Sequence, residues 1–159
     1  MDTMDSIDTL IPAVRRFNRF YTNILGLLNQ HLLDSGFSLS EARVLYEIGN
    51  TEPCMAKKLI DTLRLDAGYL SRILKRFERK DLARRVQSAE DGRSYLLYLT
   101  ELGKETLAKL DALSDDQIRR MLGGLPEPER RSVVKNMRVI EGALSDSAQK
   151  VRQVQIRSD

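Results

Sequence analysis

The sequence predicts a mainly helical (mainly α) protein of six helices, with one two-stranded β-hairpin between the fourth and fifth. Three observations carry that prediction. Apolar residues recur at intervals of three or four along most of the chain, the spacing of a helix face. Leu, Lys, Arg and Glu dominate, aromatics make up 6% and Trp is absent, a composition of helices more than of sheets. One stretch alone, "ARRVQSAEDGRSYLLYL", replaces that period with two β-prone runs around a polar turn. The length of 159 residues suits a single core with an extended helical addition.

The first helix spans Asp8 to about Gly36, with Leu10, Val14, Phe17, Tyr21, Ile24, Leu28 and Leu32 on one stripe. Asp8 is expected to cap it, Pro12 to fall near its first turn and Gly36 to stop it. Phe20, Leu25, Leu27 and Leu33 lie off the stripe, so this helix needs more than one packing partner. The second helix follows an S-x-x-E capping box, Ser38 to Glu41, and closes at Gly49-Asn50. A short third helix, about Met55 to Leu63, turns Ala56, Leu59, Ile60 and Leu63 inward. Asp66 caps the fourth, "DAGYLSRILKRFERKD", whose Leu70, Ile73, Leu74 and Phe77 follow the i, i+3, i+4, i+7 rule of a buried face.

The rest of that helix presents Gly68, Tyr69, Ser71, Arg72, Lys75, Arg76 and Arg79, with Glu78 the only acid inside it. The two strands, Ala83 to Gln87 and Ser94 to Leu99, flank the turn signal Asp91-Gly92. Thr100 caps a long fifth helix, in which the S-x-x-Q of Ser114 to Gln117 predicts a kink or restart. Gly123-Gly124 ends it, Pro126 opens the last helix, and a polar tail follows from Ser147.

Charge is unevenly placed. The net +3 of the chain hides a central segment, Lys57 to Arg93, with eleven basic and six acidic residues, a net of +5 against −2 elsewhere. A basic centre between near-neutral ends is an electrostatic footprint for a polyanion. No apolar run approaches the roughly 18 residues of a membrane span, and from the acidic, polar start "MDTMDSID" no signal peptide is expected. The lone Cys54 forms no internal disulfide and reads as a small hydrophobe, with a redox-sensing thiol beside Lys57 and Lys58 as the alternative, and a cytoplasmic protein is expected. His31 has no companion ligands, so no metal, cofactor or catalytic centre is expected.

Helix, short helix, tight turn, basic-faced helix and hairpin is the order of a winged helix-turn-helix. Its recognition helix buries one face and offers the other to a groove about 12 Å wide. The hairpin is a second arm that reaches an adjacent minor groove, whose negative potential favours an inserted arginine.

The segments "LSEARVLYEI", "YLSRILKRFERKDL" and "DGRSYLLYLTELGKE" resemble the MarR (multiple antibiotic resistance regulator) family over about residues 8 to 145. The last carries a D-x-R wing signature and a strand ending in L-T-x-x-G. "LDAGYLSRILKRFE" further resembles the regulator half of proteins that fuse such a domain to an acetyltransferase, although no acetyl-CoA loop is present. Asp81 stands where the family usually has glycine, and Gly68 where Ser or Thr is commoner.

The resemblance implies a homodimer built by residues 1–36 and 101–147, a DNA-binding domain over 37–100, and a tail over 148–159. It implies a sequence-specific transcriptional regulator, usually a repressor, that binds a pseudo-palindromic operator in double-stranded DNA and is released by a small-molecule effector. By the same resemblance Tyr69, Ser71, Arg72, Lys75 and Arg76 face the groove or phosphates, Gly68 allows close approach, Arg93 enters the minor groove and Asp91 braces it. The competing readings are the regulator half of an acetyltransferase system and a winged-helix module that docks an acidic protein.

Overall fold

The structure is a computed structural model that describes residues 6–51 and 53–156. The start of the acidic N-terminus and the side chain of His31 lie outside the described residues. Two compact units emerge, residues 1–117 and 118–159.

In the first unit α1 (Ile7–Leu33) leads to the helix-turn-helix. Its cap is Ser6, whose hydroxyl accepts from the Asp8 amide; the expected cap, Asp8, instead sits in the first turn, where its carboxylate favours the helix dipole. Pro12 lies inside the helix, past the first turn, and removes one i→i−4 bond there. α2 (Leu39–Asn50) has the full reciprocal capping box: Ser38 Oγ accepts from the Glu41 amide at 3.2 Å, and Glu41 Oε2 accepts from the Ser38 amide at 2.8 Å.

α3 (Ala56–Leu63) ends at Arg64 in the left-handed region, φ 53°, and α4 (Ala67–Arg79) starts at Asp66, whose Oδ1 accepts from the Tyr69 amide at 2.8 Å. Asp81, at φ 55°, makes the left-handed turn that glycine usually makes, as a short polar side chain can.

The sheet differs from the expected two strands. β1 (Cys54–Met55) joins β2 (Ala83–Gln87) and β3 (Tyr95–Leu99) in an antiparallel sheet of order β1-β3-β2. Cys54 pairs with Leu97 and Met55 with Leu96, so the winged hairpin is anchored at the foot of α3. Two residues are too short for any alternation to be read from sequence.

The core lies between α2, α3, α4 and the sheet. Leu70, Ile73, Leu74 and Phe77 all turn inward onto Val44, Leu45, Ile48, Leu59, Leu63 and Leu97. Full burial of each such side chain contributes about 1.5–3 kcal/mol, which fixes the roll of α4 about its own axis. Cys54 is fully buried in this core, and burial pushes its thiol pKa up, with Lys58 opposing. The native protein is therefore expected to react with a thiol reagent at neutral pH only on unfolding; rapid labelling of the folded protein would contradict this.

α5 (Glu101–Gly123) opens under Thr100, whose hydroxyl accepts from the Gly103 amide at 3.0 Å. It is unbroken through Ser114, so the S-x-x-Q signal does not restart the helix. In the second unit Arg130 donates to the carbonyls of Leu125 (2.7 Å) and Gly123 (3.2 Å), closing the end of α5. α6 (Glu127–Ile156) carries its backbone into the segment expected as a polar tail.

Candidate nucleic-acid interface

At 100° per residue, Gly68, Arg72, Lys75 and Arg79 lie opposite the buried stripe of α4, while Tyr69 and Arg76 lie on one flank and Ser71 on the other. The structure follows that geometry. Gly68, Arg72, Lys75 and Arg79 are exposed, and Tyr69, Ser71 and Arg76 are half-buried. Tyr69 packs on the core, and the Arg72 guanidinium lies 5.7 Å from its ring centre, which stiffens both at the start of the helix. Arg72, Lys75 and Arg79 border a shallow surface groove with Glu78. A Cβ on Gly68 would stand 3.1 Å from the capping Asp66 Oδ1.

Arg76 is placed differently from the other cations of α4. Its guanidinium pairs with Glu41 and donates to the Gly36 carbonyl at 3.0 Å. Sequence reasoning grouped it with the exposed face; its position on the flank, beside the core stripe, was the available signal.

The wing is ordered at its tip by short-range hydrogen bonds. Ser88 Oγ accepts from the amides of Glu90 and Asp91, and the Gln87 side chain donates to the Gly92 carbonyl. Asp91 Oδ1 accepts from the Arg93 amide at 3.0 Å, and Oδ2 accepts from the Ser94 hydroxyl at 2.7 Å. The carboxylate thus braces the backbone under Arg93 and leaves the guanidinium exposed. The Ser94 hydroxyl first, and the Arg93 amide second, hold the Asp91 carboxyl below its ordinary value of 3.8.

Because that pKa is depressed, the brace is in place above the unfolded value and is lost as pH falls through the folded one. Carboxyl NMR is expected to place the Asp91 midpoint below 3.8, with the Arg93 amide shift following the same titration; a midpoint at or above that value would contradict the brace.

Behind the tip, Arg85 pairs with Glu78 at 2.7 Å and so ties β2 to α4. The Arg84 guanidinium lies 5.7 Å from the Tyr98 ring centre. Among the described residues no ion pair engages Arg72, Lys75, Arg79, Arg93, Lys57 or Lys58, which leaves uncompensated cations on α3, α4 and the wing. Side chains of this kind, held on rigid elements, can meet phosphates and base edges.

A separate cavity of about 310 Å³ lies among α1, α2 and α5, walled by Leu39, Tyr46, Leu107 and Leu110, with Arg43, Glu47 and Asp111 as its charged groups. Burial, and then the neighbouring Asp115, raise the pKa of Asp111. Among the described residues no helix is long and apolar enough to cross a membrane. Nor, among them, is any group of three or more His, Cys, Asp or Glu placed to hold a metal ion.

A profile of the MarR family matches residues 35–94, which contain the helix-turn-helix and the wing tip. The chain is 30% identical over 115 residues to the HTH-type transcriptional regulator SarZ of Staphylococcus aureus, covering 72% of this chain and 76% of SarZ. Among solved structures, a MarR family transcription regulator superposes with a TM-score of 0.74 at 23% identity, covering 90% of this chain and 95% of that one. The DNA complex of MepR from Staphylococcus aureus superposes with a TM-score of 0.68 at 17% identity, covering 80% and 97%.

Proposed function

We infer, for a chain that belongs to the MarR family, the function of a dimeric, sequence-specific DNA-binding transcriptional regulator. The observation that carries the reading is the set of exposed, unpaired cations on α4 and at the wing tip, on two elements joined by the Arg85–Glu78 bridge. In this reading the Gly68, Arg72 and Lys75 side of α4, with Tyr69 and Ser71, enters the major groove. Arg93 enters the adjacent minor groove, and Arg79 meets phosphate. The solved MepR complex places a protein of this fold on DNA.

Dimerisation is supported within each unit by apolar surface left open. α1 exposes Ile7, Leu10, Ile11, Val14, Phe17 and Phe20, with Phe17 and Tyr21 stacked at 5.7 Å, and α6 exposes Val139 and Leu144. Covering these faces with a second copy gives a two-fold axis and hence a pseudo-palindromic operator. The chain then acts as a repressor, and a small molecule in the cavity beside Tyr46 and Leu107 releases it by favouring a spacing of the two recognition helices that does not fit DNA.

Repeated selection of bound molecules from a random duplex pool tests the reading. It is expected to enrich an inverted repeat with half-sites about 10 base pairs apart. Recovery of no motif, together with binding that is indifferent to salt, would instead favour the protein-docking reading. The acetyltransferase reading predicts heat on mixing with acetyl-CoA in a calorimeter, and none is expected.

A further inference from the structure

We propose that Arg76 is a positioning residue: its guanidinium fork holds α4 at its docking angle by spanning Glu41 and the Gly36 carbonyl, and it does not contact DNA. The proposal rests on the DNA-binding reading of α4. Glu41 is only 6% exposed, yet its two carboxylate oxygens serve two structures. Oε2 accepts from the Ser38 amide and closes the cap of α2, while Oε1 pairs with Arg76 Nη1. The second arm of the same guanidinium, Nη2, donates to the Gly36 carbonyl at 3.0 Å.

Gly36 has φ +83°, a left-handed conformation natural to glycine, at the connection between α1 and α2. The Phe37 ring completes the seat, 6.0 Å from the Arg76 guanidinium and 5.4 Å from the Lys80 ammonium. One side chain of the recognition helix therefore grips the end of the α1–α2 connection and the first turn of α2 together.

Chemistry argues against Arg76 leaving this seat for a phosphate. A carboxylate as buried as Glu41 depends on its charged partner, and withdrawing that partner leaves an uncompensated buried charge. The geometry needed is a planar fork with two donors at fixed separation, which arginine has and lysine lacks. Loss of the fork removes a restraint on the flank of α4 while the buried stripe stays intact. A small roll or tilt of the helix then misplaces Arg72 and Lys75 relative to base edges, and a sequence-independent phosphate attraction survives.

Four variants of the full dimeric chain test this: Glu41→Gln, Arg76→Gln, the double variant, and Arg76→Lys. Each is titrated at several salt concentrations, at 25 °C, against the selected duplex and a scrambled one, with melting followed by circular dichroism. Arg76→Gln is expected to lower affinity for the selected duplex about tenfold, the scale of coupling inside one hydrogen-bonded network. Affinity for the scrambled duplex should change by less than about twofold, and the salt slope should stay put.

Glu41→Gln is the sharper case. It keeps the capping box and removes a negative charge, so charge alone would tighten binding. The expected result is weaker, less selective binding. The double variant should melt above Arg76→Gln, because no buried carboxylate is stranded, yet bind no better. Arg76→Lys keeps the charge and should still lose selectivity; it carries the test should Arg76→Gln unfold.

A salt slope reduced by about 0.9 per half-site in Arg76→Gln, with both duplexes weakened alike, would make Arg76 a phosphate contact and overturn the proposal. Wild-type affinity in Glu41→Gln would overturn it too. Wild-type protein that does not discriminate the two duplexes would instead refute the sequence-specific reading of α4 on which the proposal rests.

Discussion

Replacing Arg93 with alanine is expected to lower affinity for the selected operator by about tenfold to a hundredfold per half-site, equivalent to roughly 1–3 kcal/mol of lost groove contact. The size follows from what the wing spends its other groups on. Asp91, Ser88, Gln87 and Ser94 are all engaged in holding the tip, through backbone amides, a carbonyl and one hydroxyl. The Arg93 guanidinium takes no part in that network, so the hairpin keeps its shape without it. Melting temperature and dimer mass should therefore be unchanged while DNA binding falls. An arginine that was merely solvated on a hairpin would contribute well under about 1 kcal/mol, and its removal would change affinity less than about fivefold.

Gly103→Ala is expected to have the largest effect on folding of any glycine-to-alanine change in this chain. A Cβ there would sit 1.9 Å from the Leu82 carbonyl oxygen, 2.9 Å from its carbon and 3.3 Å from Leu99 Cβ. The obstructing atoms are main chain, which cannot rotate away. The same Leu82 oxygen accepts from the Thr100 amide at 3.1 Å, and the Thr100 hydroxyl donates to the Asp81 carbonyl while accepting from Gly103.

The first turn of α5 is thus docked on the turn that joins α4 to β2, and a bare glycine is what allows the approach. Overpacking of this kind is expected to cost about 3 kcal/mol or more, lowering the melting temperature by roughly 5–10 °C in a chain of this size. An alanine variant that melts with the wild type would show that α5 does not dock there. This is also the physical meaning of the glycine in L-T-x-x-G: it closes the wing onto the helix that follows.

Much of this was legible in the chain because it is local. The stripe of Leu70, Ile73, Leu74 and Phe77 is a period-3.6 signal, and all four are buried. The Ser38–Glu41 box and the Asp66 cap are set by residues three apart, and both form. What escaped is non-local or too short to have a period. β1 is two residues long, and its partners lie more than forty positions away. Arg76 falls off the buried stripe of α4 and so reads as part of the exposed face, but its partner Glu41 is 35 residues distant and its seat depends on the left-handed bend at Gly36.

Asp91 shows the same limit on a smaller scale. The resemblance makes it a brace for the Arg93 side chain, whereas the turn geometry has its carboxylate hold the Arg93 amide and leave the guanidinium exposed. The S-x-x-Q at Ser114 does not restart the helix, because α5 runs on through it.

Hydroxyl-radical footprinting of the full dimer on its selected duplex tests the central claim most directly, because the radical attacks along the minor groove and reports where the wing lies. The expected pattern is two protected minor-groove tracts, symmetric about the centre of the inverted repeat and beside the major-groove segments held by α4, with both tracts lost in Arg93→Ala. A single continuous block of protection without two-fold symmetry, or tracts that persist in Arg93→Ala, would contradict the account.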